Sequence, residues 1–163
     1  MVWNGLHVEY IRTIDKSPIT QVVEELKRLQ QKYEVNLNNI ILDEDGVGGG
    51  AKDFMRCRGF VNNSRPLKAE NYQNLKTQCY YKLADLINKG QIGIKCPDTN
   101  VQKYIIEELE QVRSKDQDKD SKLKIIPKDE VKDIINRSPD YSDAMAMRMY
   151  YEIDGNYGKY FVQ

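Results

Sequence analysis

Cysteine and histidine are scarce in this chain, and their scarcity removes whole classes of chemistry. Cys57, Cys79 and Cys96 stand far apart with no CxxC pair, and His7 is the single histidine, so neither a zinc cluster nor a disulfide framework is expected. Charge of one sign is also lacking: 25 basic residues balance 25 acidic ones. No global field therefore marks the chain as a nucleic-acid binder, although a local basic face stays open. There is no apolar run long enough to span a bilayer, and the N-terminus lacks the charged-then-apolar layout of a signal peptide. That layout points to a cytosolic protein without a membrane partner. No G-K-[ST] follows the glycine run, which excludes a Walker loop and an ATPase motor. What is present, 163 residues of which 31% are charged, suits a single domain over 1–163 with a real core.

Residues 1–11 predict a hairpin about Asn4-Gly5, the strongest short turn signal, with Val8, Tyr10 and Ile11 favouring strand. Its arms are unequal, because the outgoing arm extends to about Ile14 while the incoming one has hardly begun. Paired strands are of similar length, so the start reads as a cut through a larger fold, and His7 as a strand residue. Ser17-Pro18 gives a cap-and-proline helix start, followed at helical spacing by Ile19, Val22, Val23, Leu26, Leu29 and Tyr33. Residues 39–43 then form an apolar run suited to a strand buried on both faces and ending in Asp43. A strand, a helix and a buried strand make an α/β layer, whose ligand site lies at the carboxyl ends of the strands, where Asp43 sits.

Gly46-Val47-Gly48-Gly49-Gly50-Ala51 formally fits a dinucleotide fingerprint, with Glu70 about twenty residues on. Asp43, Glu44 and Asp45 directly before it would repel a pyrophosphate, so a nucleotide-binding α/β module ranks below a metal site. Glycines that only let the backbone turn sharply are the bland alternative. Beyond them the pattern predicts helices over 51–58, 72–89 and 101–112, the second stopped by Gly90, and short extended pieces at 59–61 and 92–94. Tyr80 and Tyr81 read as core before base-stacking groups. Residues 114–124 alternate in charge and predict a solvated loop, 123–126 an extended piece and 129–137 a short helix. The tail 153–163 has no assigned role.

Ser138-Pro139-Asp140-Tyr141-Ser142-Asp143 then opens a last helix. Ser138 is placed to cap it and Pro139 suits the first helical position, so Asp140 lies in the first turn and Asp143 one turn on, along one face. Ala144, Met145, Ala146, Met147 and Met149 dock this helix into a core with its acidic end at the rim. Acids so placed serve the helix dipole or hold a divalent metal. The helix alone favours the dipole, and Asp43, an acid from a second element, favours the metal.

A buried strand ending in Asp43 before a glycine loop, joined to the late helix start Ser138-Pro139-Asp140-x-x-Asp143-Ala144, resembles the nuclease domain of phage terminase large subunits, an RNase H-like and RuvC-like nuclease. The order of elements between them is similar over nearly the whole chain. The resemblance implies an α/β, RNase H-like three-layer fold with a mixed central sheet flanked by helices. It also implies a metal-dependent endonuclease that cuts concatemeric double-stranded viral DNA during packaging in the bacterial host cytoplasm, with the terminase small subunit and the portal as partners. Asp43, Asp140 and Asp143 match the family's catalytic metal ligands, and Asp45 is a secondary ligand. Carboxylate oxygens suit Mg²⁺ or Mn²⁺, and two such ions roughly 3.5–4 Å apart activate water and steady the leaving oxygen. Arg65, Lys68, Lys124 and Lys128 are candidate DNA contacts, each weighed against a plain solvated face.

The sequence departs from that family at its front. The family's first strand brings another metal-binding Asp, whereas this chain opens in what would be the second strand, and the motor half is absent. The expectation is a terminase fragment with an incomplete metal site and open strand edges that offer a route to a homodimer. An inactive prophage remnant that keeps DNA or portal binding is the alternative.

Overall fold

The computed structural model describes residues 1–14, 17–45, 48–115 and 121–155. The predicted hairpin forms, with its turn one residue later at Gly5-Leu6: β1 (Val2–Asn4) pairs antiparallel with β2 (His7–Tyr10), Asn4 facing His7, and Gly5 takes φ 57°. The outgoing strand stops at Tyr10, short of Ile14. On its other side β2 runs parallel to β5 (Gly93–Ile94), where the His7 ring lies against Gly93, so His7 is a strand residue as expected.

Helix α1 (Ile19–Lys32) starts one step later than its signal implies. The cap position falls on Pro18, no side chain bonds there, and Ser17 is not the cap. Its apolar face, including Ile19, Val22, Val23 and Leu26, packs with Ala51 and Met55 of α2 (Gly48–Met55) into a small core of its own. The glycine run is therefore a helix start, not only a loop. A Cβ on Gly50 would lie 2.8 Å from Ile19 Cδ1, the end of a side chain that can turn aside, so α2 meets α1 closely at this point. Gly46 and Val47 lie outside the described residues.

Strand β3 (Ile41–Asp43) pairs in parallel with β4 (Arg58–Phe60). All three residues of β3 are half-buried, where the sequence predicts burial on both faces. Helix α3 (Leu75–Asn88) is capped by Asn74, whose Oδ1 accepts the Thr77 N–H at 2.9 Å, and it ends before Gly90 at φ 65°. Helix α4 (Thr99–Gln111) is capped by Asp98. The charged stretch after it is not all loop: β6 (Ser114–Lys115) pairs antiparallel with β7 (Lys124–Ile125), and residues 116–120 lie outside the described set. Helix α5 (Lys128–Ile135) ends at Asn136 in the left-handed region, and α6 (Asp140–Asp154) follows.

The strands form a mixed β1-β2-β5 sheet and two two-stranded ladders, so the expected mixed α/β fold is present while its sheet is divided. Between β1 and β3 runs a cleft of about 400 Å³ lined by Met1, Trp3, Leu29, Ile41 and Met147 among others. The main core joins α3, α4 and α6 through Cys79, Leu83, Ile105, Met145 and Met149, all buried. Burial pushes the Cys79 thiol up to about 12, which makes it an inert packing group. Among the described residues no helix is long and apolar enough to cross a membrane.

Candidate functional site

The first turn of α6 holds the two acids the sequence singled out, in unlike surroundings. The Asp140 side chain is 76% exposed and the Asp143 side chain 15%. Ser138 does not cap this helix. The cap position is Pro139, and the Ser138 hydroxyl donates to Asp140 Oδ1 at 2.6 Å instead.

Asp143 is ringed by donors. Lys76 Nζ of α3 lies 2.6 Å from Oδ1, and Lys128 Nζ at the start of α5 donates to Oδ2 at 2.6 Å. The buried Tyr80 hydroxyl donates to Oδ1 at 2.6 Å and also meets Ser142 Oγ at 3.1 Å. Burial opposes ionisation of Asp143, but the two ammonium groups and the tyrosine outweigh it and hold its carboxyl below the usual range. Burial, reinforced by the Asp143 charge, pushes the Tyr80 hydroxyl well above its ordinary value. Lys128 is partly desolvated, which disfavours its charge, yet Asp143, Asp140 and Asp43 together raise its pKa. Its ammonium sits 3.8 Å from Asp140 Oδ1. Thus one lysine feels all three acids, from two elements a hundred residues apart in sequence.

Asp43 ends β3, and its Oδ1 accepts the Asp45 N–H at 3.0 Å and Asn62 Nδ2 at 3.1 Å. Asn62, just past β4, also donates its backbone N–H and its amide to Asp45 Oδ2, each at 2.8 Å. Asp45 is therefore turned toward Asn62 beside Asp43. Behind α6, the fully buried Glu108 of α4 accepts the Ser142 N–H on Oε2 at 2.7 Å and pairs with Arg137 through Oε1.

Of the basic candidates, only Lys128 stands among the acids. Lys68 lines a separate cavity of about 470 Å³ with Tyr72, Tyr81 and Glu152. Glu152 lies about 14 Å along the helix from Asp143 at the usual helical rise. Arg65 is exposed, and Lys124 is half-buried on β7. Sequence reasoning missed Lys76, Asn62, Glu108 and Arg137. Glu108 alone carried a readable signal: it falls three positions after Ile105 on the buried stripe of α4, where an acid needs a partner.

The donor chemistry, carboxylate oxygens, suits a hard divalent cation, and Asp140 and Asp143 of α6 stand about the ammonium of Lys128, which the charge of Asp43 also reaches. Among the described residues, however, no three His, Cys, Asp or Glu side chains are grouped closely enough to hold an ion. The spacing is that of acids arranged about a lysine.

No protein-family model matches the chain, and no curated protein is similar to it in sequence. Solved structures do match. A lysine-to-alanine variant of the nuclease domain of the large terminase subunit gp2 of bacterial virus Sf6, with manganese, superposes with a TM-score of 0.71 at 19% identity, covering 89% of this chain and 79% of that one. The unsubstituted Sf6 domain gives 0.62 at 19% identity, covering 78% and 70%. The same variant domain with calcium gives 0.62 at 18% identity, over the same shares of each chain. With Asp43 at a strand end and Asp140 and Asp143 at a helix start, the chain has the RNase H-like α/β fold of a phage terminase nuclease domain.

Proposed function

We propose that this chain is a metal-dependent DNA endonuclease domain of the phage-terminase type, which hydrolyses phosphodiester bonds of double-stranded viral DNA. The observation that carries the proposal is the pairing of Asp140 and Asp143 with the single ammonium of Lys128, whose charge the carboxylate of Asp43 also supports from the end of β3. A fold shared with nuclease domains whose structures contain manganese or calcium supports it. Asp43, Asp140 and Asp143 would hold Mg²⁺ or Mn²⁺, with Asp45 beside them, and the bound ions would activate water and stabilise the leaving oxygen. Lys128 must leave Asp143 for an ion to take its place, and it is then free to meet a backbone phosphate. Lys76 and Tyr80 keep the Asp143 carboxylate ionised and fixed in direction. Partners on this reading are double-stranded DNA, the terminase small subunit and the portal, in the cytoplasm of a bacterial host.

Cleavage of supercoiled plasmid with Mn²⁺ or Mg²⁺ tests the proposal, comparing the unaltered chain with Asp43→Ala and Asp140→Ala. Activity that needs the ion and disappears in both variants is expected; activity that survives both substitutions defeats the metal-site reading. The full occupation of Asp143 by two lysines and a tyrosine favours a second reading, a module that binds DNA or the portal without cutting. Gel-shift binding of DNA with no cleavage at any metal concentration would select it.

A further inference from the structure

We infer that Glu108, clamped by Arg137, is a positioning residue that sets the first turn of α6 and thereby the divalent-ion affinity of Asp140 and Asp143. The inference rests on the metal-site reading above. Helix α6 has no side-chain cap of its own: the cap position falls on Pro139, which offers no side-chain acceptor, and the Ser138 hydroxyl is directed to Asp140 as a donor. A helix start needs acceptors for its first amides, and here the acceptor arrives from another helix. Glu108 Oε2 takes the N–H of Ser142, the residue between Asp140 and Asp143 that directly precedes Asp143.

Several features show that this carboxylate is built for α6. Glu108 is 0% exposed, so it gains nothing from water and depends wholly on its partners. Arg137 holds its other oxygen, and Arg137 is itself fixed by Glu107 Oε2 at 2.6 Å, by the Tyr104 carbonyl at 3.2 Å and by the Tyr104 ring, 4.4 Å from the guanidinium carbon. On the far side of Ser142, its Oγ donates to the Pro139 carbonyl at 3.2 Å and meets Tyr80, which reaches Asp143. The path Arg137, Glu108, Ser142, Tyr80, Asp143 is continuous, with no exposed link between Glu108 and Tyr80. If Glu108 is removed, the first turn loses the α4 carboxylate that holds its Ser142 amide and keeps only the stacking of Tyr104 on Tyr141, so the direction of the Asp143 carboxylate loses its hydrogen-bonded reference. Outer partners of this kind typically change metal affinity about 10- to 100-fold.

The test is a Mn²⁺ titration followed by the paramagnetic resonance of the free ion, on the full chain, with thermal melts of every variant. Asp143→Asn reports on the site itself, and Val8→Ala, a buried change on β2, reports on general loss of stability. Glu108→Ala should bind Mn²⁺ about tenfold more weakly, Val8→Ala as the unaltered chain does, and Glu108→Gln in between, because its amide oxygen can still accept the Ser142 N–H. Unaltered affinity in folded Glu108→Ala overturns the inference. If Glu108→Ala does not fold, Glu108→Gln and Arg137→Gln decide, and unaltered affinity in both overturns it equally. A chain that binds no Mn²⁺, or an Asp143→Asn variant that binds it normally, removes the metal-site reading and this inference with it, a result distinct from failure at Glu108 alone.

Discussion

Asp143→Ala should destabilise the metal-free protein substantially, which is not what a bare cluster of ligands would do. Side-chain exposure is 15% at Asp143, 18% at Lys76 and 34% at Lys128, which places these ion pairs between surface and interior. Exposed pairs contribute up to about 1 kcal/mol, and breaking a buried pair costs about 3–5 kcal/mol because a charge is left behind. A loss of about 2–3 kcal/mol follows for a substitution that strands two ammonium groups and takes one acceptor from Tyr80. At about 2–4 °C per kcal/mol for a domain of this size, the melting temperature should fall by roughly 5–10 °C. Urea unfolding at pH 7 with a chelator present measures the loss. In the Asp143→Ala background, Lys76→Met should return about 1 kcal/mol by removing a stranded charge. Asp140→Ala should cost less than about 1 kcal/mol, since that side chain is 76% exposed. If Asp143→Ala proves as stable as the unaltered chain or more so, the carboxylate is under repulsion from its fellow acids, and the reading of a lysine-balanced site is refuted.

Other outcomes follow from the same contacts. Tyr80→Phe should cost about 1–2 kcal/mol by urea unfolding, because it removes a buried hydroxyl shared by Ser142 and Asp143; a neutral result would mean that water or Lys76 already satisfies both. The two buried acids should bend the pH profile of stability in opposite directions. The Asp143 carboxyl lies below its ordinary value of 3.8, so its contribution is present above that pH and is lost as pH falls through the folded value. Asp143→Asn should flatten that acid limb. Burial raises the Glu108 carboxyl above 4.5, so stability falls as pH rises from there through the folded value, and Glu108→Gln should remove this decline. Gly50→Ala should be neutral or stabilising by up to about 1 kcal/mol, since helix propensity improves and only the terminal methyl of Ile19 has to yield; a loss above that would show α1 and α2 to be locked together.

The acids of the site were legible because each sits at an element boundary that the sequence marks. Asp43 ends an apolar run, and Asp140 and Asp143 follow Ser138-Pro139. Of their counter-charges, Lys128 was singled out, though as a DNA contact, while Lys76 was not legible, because it comes from α3 and no local pattern says which lysine folds inward. Tyr80 was read correctly as core, yet its hydroxyl bond to Asp143 depends on how α3 meets α6. Ser138 misled because the cap position falls one residue later, on Pro139, which leaves the hydroxyl beside Asp140 as a donor. The glycine run misled in the other direction: its composition suggests a turn, while α2 begins within it at Gly48 and packs through Ala51 and Met55 on α1. The two-residue strands β6 and β7 are too short for alternation to register, so their pairing was invisible within a charged stretch.

Helix α6 is tied to two N-terminal segments: Arg148 Nη2 donates to the Gly5 carbonyl at 2.8 Å, and the Tyr151 hydroxyl donates to the Asn38 carbonyl at 3.0 Å. These bonds span 143 and 113 residues of sequence. A ribosome makes α6 after the hairpin, α1 and β3, so those elements emerge without the helix that closes over them. Contacts of such sequence separation slow folding, and consolidation has to wait until synthesis has passed Asp154. Until then the apolar side of β1 and β3 is open to other chains, so aggregation competes with folding up to the moment α6 docks.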